Sequence, residues 1–508
     1  MNLQMHCVMN KPSFFGKTAF LILSAAFFAI LYSPSYAQSS QASRTLSLSQ
    51  SIQVGYANSP LAQSNRQQFL EARSRYKSFR ASLLPSFSLS ANGPNFSRSI
   101  GQIPQPDGTN QFVTFQTANP TGLLSLQQTI PELGGQVSIS SGLAVAYNFD
   151  DENNRWDQQW QSRPFVIGYT QPIFQFNNTK WRQRLEPIRA SVAERQYYED
   201  MENMAVRITQ TFFDTYLAKV TLENAEFNVS VNDSIYNISQ GRFRIGTIAE
   251  NDLLQTELAL MNSTNSRNDA IINYEQSLSN LKILLGIPAD TPIDVVPPRN
   301  IPAIDVSVET AVQYAKANGS TFEGFRVQEL EAERNFDQAR KQNSFSANLT
   351  AQYGLNQTAN SFDTVYEDPT NQSSISLGVQ VPIWNWGRQQ ADVAQARSQK
   401  QRTEADVLLQ SRQFEVDVEF QVRQLAQSRS RVEIAARADT IAQRRYTVSK
   451  NRYLIGRIDI TNLFIAQNEK DNARIGYYRA LRDFWVAWYQ LRQVTLYDFE
   501  QGVGIRYD

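Results

Sequence analysis

Hydrophobic and polar positions alternate with two different periods along this chain, and each change of period marks an element. Residues 86–91, 165–170, 346–353 and 375–381 alternate with period two. Phe87, Leu89 and Ala91 oppose Ser86, Ser88 and Ser90, and Ala347, Leu349, Ala351 and Tyr353 oppose Ser346, Asn348, Thr350 and Gln352. Ile375, Leu377, Val379 and Val381 oppose Ser376, Gly378 and Gln380, while Phe165, Ile167 and Tyr169 oppose Val166, Gly168 and Thr170. This pattern predicts four β-strands of roughly 9 residues, the length that a tilted membrane strand requires. Half-buried strands of a soluble sheet would alternate in the same way.

Elsewhere the period is helical and the runs are very long. The 68 residues between Gly387 and Gly456 contain no glycine or proline. As a helix they would reach roughly 100 Å at about 1.5 Å per residue. Apolar positions in this run (Val407, Leu408, Phe414, Val418, Val422, Leu425, Val432, Ala435, Ala436, Ile441) follow an irregular heptad. They predict a narrow seam that buries itself only against neighbouring rods.

The unit is present twice. Asn451-Arg-Tyr-Leu-Ile-Gly456 ends one long run and Gly241-Arg-Phe-Arg-Ile-Gly246 ends another, 210 residues earlier. The upstream ends match at the same offset, Gly168-Tyr-Thr-Gln-Pro-Ile-Phe174 against Gly378-Val-Gln-Val-Pro-Ile-Trp384. Returning helices are predicted over 247–285 and 457–499. Both units also open alike, with Ser51-Ile-Gln-Val-Gly-Tyr-Ala-Asn58 against Ala311-Val-Gln-Tyr-Ala-Lys-Ala-Asn318. The domains expected are a first repeat over 38–286, a linker over 287–305 whose five prolines preclude a helix, and a second repeat over 306–508.

The first repeat carries about 50 additional residues near 93–150. Gly101-Gln-Ile-Pro-Gln-Pro-Asp-Gly108 reads as a surface loop. Residues 124–130 and the alternating 137–149, joined by Pro131-Glu-Leu-Gly-Gly135, read as an extra hairpin. Alternation is compatible with a place in the membrane sheet and with one above it.

Residues 1–37 read as a secretory signal, with Lys11 and Lys17, an apolar core over 18–31 and the small-residue site Ser35-Tyr-Ala37. Its removal takes away Cys7 and His6, the chain's single cysteine and single histidine. What is left has no thiolate, imidazole or soft metal ligand, so no metal, no cofactor and no enzyme activity is expected. The same removal leaves 46 basic residues against 48 acidic ones, which gives no sign of nucleic-acid binding. Beyond the signal nothing reads as a transmembrane helix, so a later crossing would use strands.

Four strands cannot enclose a hole, because open edges in lipid leave unpaired backbone groups at several kcal/mol each. Several copies would therefore share one barrel. Three would supply twelve strands, or eighteen with the extra hairpin. The polar strand faces would line a wet conduit continuing into a helical cylinder. A structural coiled-coil envelope protein or adhesin is the alternative, which explains the rods but not the alternating strands.

In the order and equal spacing of these motifs the chain resembles the outer-membrane efflux protein family, the TolC-like outer-membrane factors. The likeness covers nearly all of the chain after the signal. It rests on the duplicated strand, long helix, turn and helix, on Gln171-Pro-Ile-Phe174 and Val381-Pro-Ile-Trp384, and on Leu253-Leu254 and Leu463-Phe464 after the glycine turns. The resemblance implies a mainly α fold with β: long coiled-coil-like helices in a trimeric periplasmic α-barrel, and four strands per chain, or six, in a shared transmembrane β-barrel. It implies the cell outer membrane of a Gram-negative-type bacterium as the location. It further implies passive export in a tripartite efflux or type I secretion system, with a periplasmic adaptor (membrane fusion) protein and an inner-membrane pump of RND or ABC type.

Site residues follow from the same resemblance. Gly246, Thr247, Leu253, Gly456, Arg457 and Leu463 would form the tip that meets the adaptor. Tyr453 and Asp252 match a pair that closes the pore in the family. Arg457 would stand in for an arginine that falls on Ile458 here, and Asp459 for an acidic ring whose positions are Asn462 and Ile465. Both glycines are equally explained by a tight turn with positive φ, and Asp252 by a helix N-terminus. Phe174, Phe176, Trp181, Trp384 and Trp386, at the strand ends, suit an interfacial aromatic girdle or packing at a corner.

Overall fold

The computed structural model describes residues 44–150, 155–298 and 300–507. The expected signal segment, with His6 and Cys7, lies outside them.

The two repeats give helices of equal length. α1 (Leu48–Asn58) and α5 (Val308–Asn318) have 11 residues each, and α2 (Pro60–Ser82) and α6 (Ser320–Gln342) have 23. The rods α3 (Asn178–Arg244) and α7 (Arg388–Leu454) have 67, and the returns α4 (Glu250–Leu285) and α8 (Ile460–Thr495) have 36. Matched helices are 260 residues apart before the strands and 210 after them, so the first repeat's extra 50 residues all lie in the β region. No helix among the described residues is long and apolar enough to cross a membrane.

Rod formation follows from composition, but rod packing follows from two seams on opposite faces. Val418, Leu425, Val432, Tyr446 and Tyr453 of α7 are buried and spaced by sevens, with Asp439 in the gap. Ile434, Ile441 and Val448, with Ile455 just beyond the helix, repeat the heptad and are exposed. Two residues separate the sets, a rotation of about 200° on a helix. The single irregular seam expected from the sequence is thus divided, with Leu408 and Ile441 on the outer face.

The main core lies where α1, α3, α4, α5 and α8 converge, around Phe212, Phe213, Leu281, Leu285, Leu481, Trp488 and Leu491. There Glu202 is fully buried and accepts from Arg492 Nη2 at 3.0 Å and from the Tyr507 hydroxyl at 2.5 Å. Arg492 Nη1 also donates to Asp498 Oδ2 at 2.7 Å, which ties the C-terminal segment to the rods. The proline-rich segment is an ordered strap: its β8 (Ile293–Val296) pairs in parallel with β1 (Arg44–Ser47), and Lys219 Nζ donates to Asp294 Oδ1 at 2.5 Å.

Eight strands form one sheet. They are β2 (Ser86–Asn92), β3 (Phe96–Pro104), β4 (Asn110–Ala118), β5 (Thr121–Ile130), β6 (Gly135–Asp150), β7 (Arg155–Ile173), β9 (Ser346–Ala359) and β10 (Thr370–Gln380). Its order runs β10-β9-β7-β6. β6 is then flanked near its start by β5 and β2, and near its end by β4 and β3. The sheet is therefore six strands across, and all its pairings are antiparallel. Residues 101–108, expected as a loop, belong to the β3–β4 hairpin instead. Asp107 Oδ1 accepts from Thr109 N at 3.0 Å, and Gly108 at φ +83° closes the turn. β6 and β7 have 16 and 19 residues, well beyond the expected strand length.

Candidate functional site: a two-faced wall and a double tip

Register carries one face from β2 through β5, β6, β7 and β9 to β10. Phe87 pairs with Leu126, Leu126 with Ile139, Ile139 with Ile167 and Ile167 with Tyr353. One strand step away, Ala351 meets Ile375, and Leu349 meets Leu377. This face is apolar, and much of it is bare in the protomer, with Ile375 81% exposed. The opposite face carries Ser88 and Ser125, whose hydroxyls lie 3.0 Å apart, with Ser138, Thr170, Asn348, Thr350 and Ser376. An exposed apolar face backed by a hydroxyl- and amide-rich one suits lipid on one side and water on the other.

Equivalent strand-to-helix junctions position the rods below the sheet. At the first, Asn177 caps α3, its Oδ1 accepting from Lys180 N at 2.9 Å. Its Nδ2 donates to Pro131 O at 2.7 Å, in the β5–β6 turn. At the second, the matching position is Gly387, at φ +83° with no side-chain cap. Trp384 and Trp386 stand exposed beside it with their rings edge to face at 5.5 Å. Phe174 is exposed and lies 5.6 Å from the Phe345 ring, and Phe176 is half-buried. Trp181 does not belong with them. It is 8% exposed in the first turn of α3, donating Nε1–H to Asp337 Oδ2 at 3.0 Å, because helical spacing turns it inward.

At the far end both rods stop in the same way. Gly246 N donates to Phe243 O and Thr247 N to Arg242 O, each at 2.9 Å. Gly456 N donates to Tyr453 O and Arg457 N to Arg452 O, also each at 2.9 Å. With φ of +76° and +74° at the glycines, these are two Schellman ends. Between the turns lies a groove of about 890 Å³ lined by Asp252, Tyr453, Arg457, Asp459 and Asn462 among others.

The structure thus brings every expected gate residue to one groove, but their contacts differ from the expectation. The Tyr453 hydroxyl shares a hydrogen bond with Ser239 Oγ at 3.1 Å, not with Asp252, because the ring is buried against Val231, Ile235 and Ile460. Asp459 caps α8, accepting from Asn462 N at 2.8 Å and from its amide at 3.0 and 3.1 Å. Leu463, expected on the contact surface, is 0% exposed in the tip core. Its counterpart Leu253 is half-buried. The exposed apolar residues at the tips include Phe243, Ile245, Leu254, Leu454 and Ile455.

Sequence reading missed Arg242. It reaches from the first tip to the second, donating to Leu454 O at 2.8 Å with its guanidinium 5.3 Å from the centre of the Tyr453 ring. Gln255 Nε2 adds a bond to Thr461 Oγ1 at 3.2 Å. The available signal was the duplicated Arg242 and Arg452, of which only the first finds the other tip.

The outer membrane efflux protein family model matches residues 126–287 and 311–495. Compared by sequence with curated proteins, the chain has no match. Its fold is similar to that of the Campylobacter jejuni CmeC outer membrane channel, at 17% identity and TM-score 0.65, over 91% of this chain and 87% of that one. The Vibrio cholerae outer membrane protein VceC gives 12% identity and TM-score 0.62, over 91% and 97%. The open state of the Neisseria gonorrhoeae MtrE outer membrane channel gives 14% identity and TM-score 0.57, over 88% of each chain.

Proposed function

We propose that this chain, which belongs to the outer membrane efflux protein family, is the outer-membrane duct of an export system. It is a channel and not an enzyme. Its sheet sits in the outer membrane and its rods extend into the periplasm. Small molecules or proteins delivered by an inner-membrane pump pass through it, and selection belongs to the pump.

The observation that carries this reading is the two-faced sheet with open edges at β10, at β2 and at β3, continuous with rods that have apolar seams on opposite sides. A rod in a closed ring touches a neighbour on each side. In a ring of twelve its seams would stand about 150° apart, close to the ~200° between the α7 seams measured one way round, or ~160° the other. The exposed seam of α7 and the exposed Leu254, Leu258 and Met261 of α4 are complementary surfaces for a neighbouring copy. This supports a homotrimer whose first repeat meets the second repeat of the next copy.

The exposed tips around Gly246, Thr247, Gly456 and Arg457 are the docking surface for a periplasmic adaptor protein, with Leu253 beneath them. Asp252, Tyr453, Arg457, Asp459 and Asn462 line the tip groove and belong to its gate, with Arg242 as the latch between tips. Phe174, Phe176, Trp384 and Trp386 sit at the periplasmic boundary of the outer membrane. The domain division is a signal over 1–37, repeats over 38–286 and 306–508, and the strap over 287–305.

Planar-bilayer recording of the purified oligomer tests the reading. Discrete conductance steps are expected. A stable, lipid-embedded oligomer that never conducts would favour a structural spacer instead.

A further inference from the structure

We infer that the extra hairpin β5–β6 crosses the membrane, so that three copies of this chain close a barrel eighteen strands around. Twelve is the number the family resemblance implies for four strands per chain. The inference rests on the duct reading and concerns the size of its wall.

Three observations support it. First, β5 and β6 lie within the sheet and not above it: β6 pairs with β7 from Gln136↔Thr170 onward, and β2 pairs with β5, not with β7. Among the described residues β5 is the one strand paired with β2, so the hairpin joins β2 to the rest of the sheet.

Second, the hairpin has the two faces of the other strands. Leu124 and Leu126 of β5 and Val137, Ile139, Leu143 and Val145 of β6 share the apolar face, while Ser125, Gln127, Ser138 and Ser140 share the polar one. A hairpin standing in water above the membrane needs no apolar face in register with a lipid-facing sheet.

Third, its turn lies at the helix end of the sheet. Asn177 Nδ2 donates to Pro131 O, Gln171 Nε2 donates to Leu133 O at 2.8 Å, and Lys180 lies 3.8 Å from Glu132. The hairpin therefore descends the full height of the wall to the start of α3.

Closure is consistent with this. β2 rises from α2 and β10 descends into α7, so the edges of adjacent copies would meet antiparallel like every other pair in the sheet. With ~4.8 Å between strands and ~40° of tilt, eighteen strands enclose a radius of roughly 18 Å and twelve roughly 12 Å. Twelve rods spaced ~10 Å apart form a ring of roughly 19 Å radius. The wider barrel continues the helical tube without a neck, which leaves the tips as the narrowest part of the duct.

Removal of the signal leaves a cysteine-free chain, so single cysteines report cleanly. Ile139→Cys and Ser138→Cys, spin-labelled in the intact oligomer in lipid vesicles, are compared with Ile375→Cys on β10. The oxygen-to-nickel accessibility ratio at 139 is expected to lie within about twofold of that at 375 and to fall several-fold at 138. Leu126→Cys on β5 repeats the test should the 139 variant fail to assemble. Nickel access at 126 or 139 with 375 still shielded would place the hairpin in water and overturn the inference while leaving the duct intact. Nickel access at 375 as well would overturn the duct reading itself. An electron-microscopy reconstruction in nanodiscs decides the count directly: eighteen strands support the inference and twelve refute it.

Discussion

The two repeats match closely at their tips and diverge at their membrane ends. At the tips, three equivalent backbone hydrogen bonds have the same lengths in both copies. At the sheet, one repeat supplies two strands and the other supplies two hairpins more, β3–β4 and β5–β6, and the junction residue has changed to match: Asn177 where a turn must be held, Gly387 where none exists. A Schellman end needs only a glycine and local spacing, so duplication preserves it. A sheet accepts an inserted hairpin wherever the two faces stay in register, so it can widen without disturbing the rods.

The likeness of the tips is confined to the backbone, and core truncation should expose the difference most strongly. Leu463→Ala, at a fully buried site, is expected to cost about 2–5 kcal/mol, read from oligomer unfolding, and to raise resting conductance. Leu253→Ala, half-buried at the equivalent position, should cost about 1–2 kcal/mol. Equal losses would erase the asymmetry.

At the junctions, Asn177→Ala removes a helix cap and the tether to the β5–β6 turn. About 2 kcal/mol is expected, with hydrogen exchange rising at 130–135. Gly387→Ala introduces strain of about 1 kcal/mol at a positive φ and should leave 130–135 unchanged.

Capping gives a smaller contrast. Asp459→Ala should cost about 1 kcal/mol through the loss of its bond from Asn462 N, whereas Ala249→Asp at the uncapped start of α4 should stabilise by about 0.5–1 kcal/mol. For the gate itself, Tyr453→Phe and Ser239→Ala are expected to increase leak to the same small extent, since they share one bond. Asp252→Ala should leave that bond intact.

The smallest effect concerns pH. Ser59 caps α2, but the equivalent Gly319 has no side chain, and Glu199 of α3 takes over. It accepts from Ser320 N at 2.6 Å and from Ser320 Oγ at 2.7 Å. Burial raises its pKa above the ordinary 4.5, against the pull of the Ser320 bonds. The folded chain then holds this proton more tightly than the unfolded one, so stability should fall as pH rises from about 4.5 through the raised value. Glu199→Gln should flatten that part of the stability–pH curve, and an unchanged slope would assign it to other groups.

Long-range pairing decided what the amino-acid pattern left open. Rod length, the glycine turns, the duplication and the four alternating strands were legible because each depends on neighbours a few residues apart. Whether 124–130 and 137–149 joined the sheet was not, because strand partners are set by contacts far along the chain. The direction in which Trp181, Tyr453 and Leu463 point was also hidden, since each lies in an apolar pattern that two faces of a rod share. The sequence by itself determined a repeated rod with a period-two segment at its head. Only the tertiary structure decided which seam faces inward, which tip latches the other and how wide the sheet is, because those depend on what each face meets.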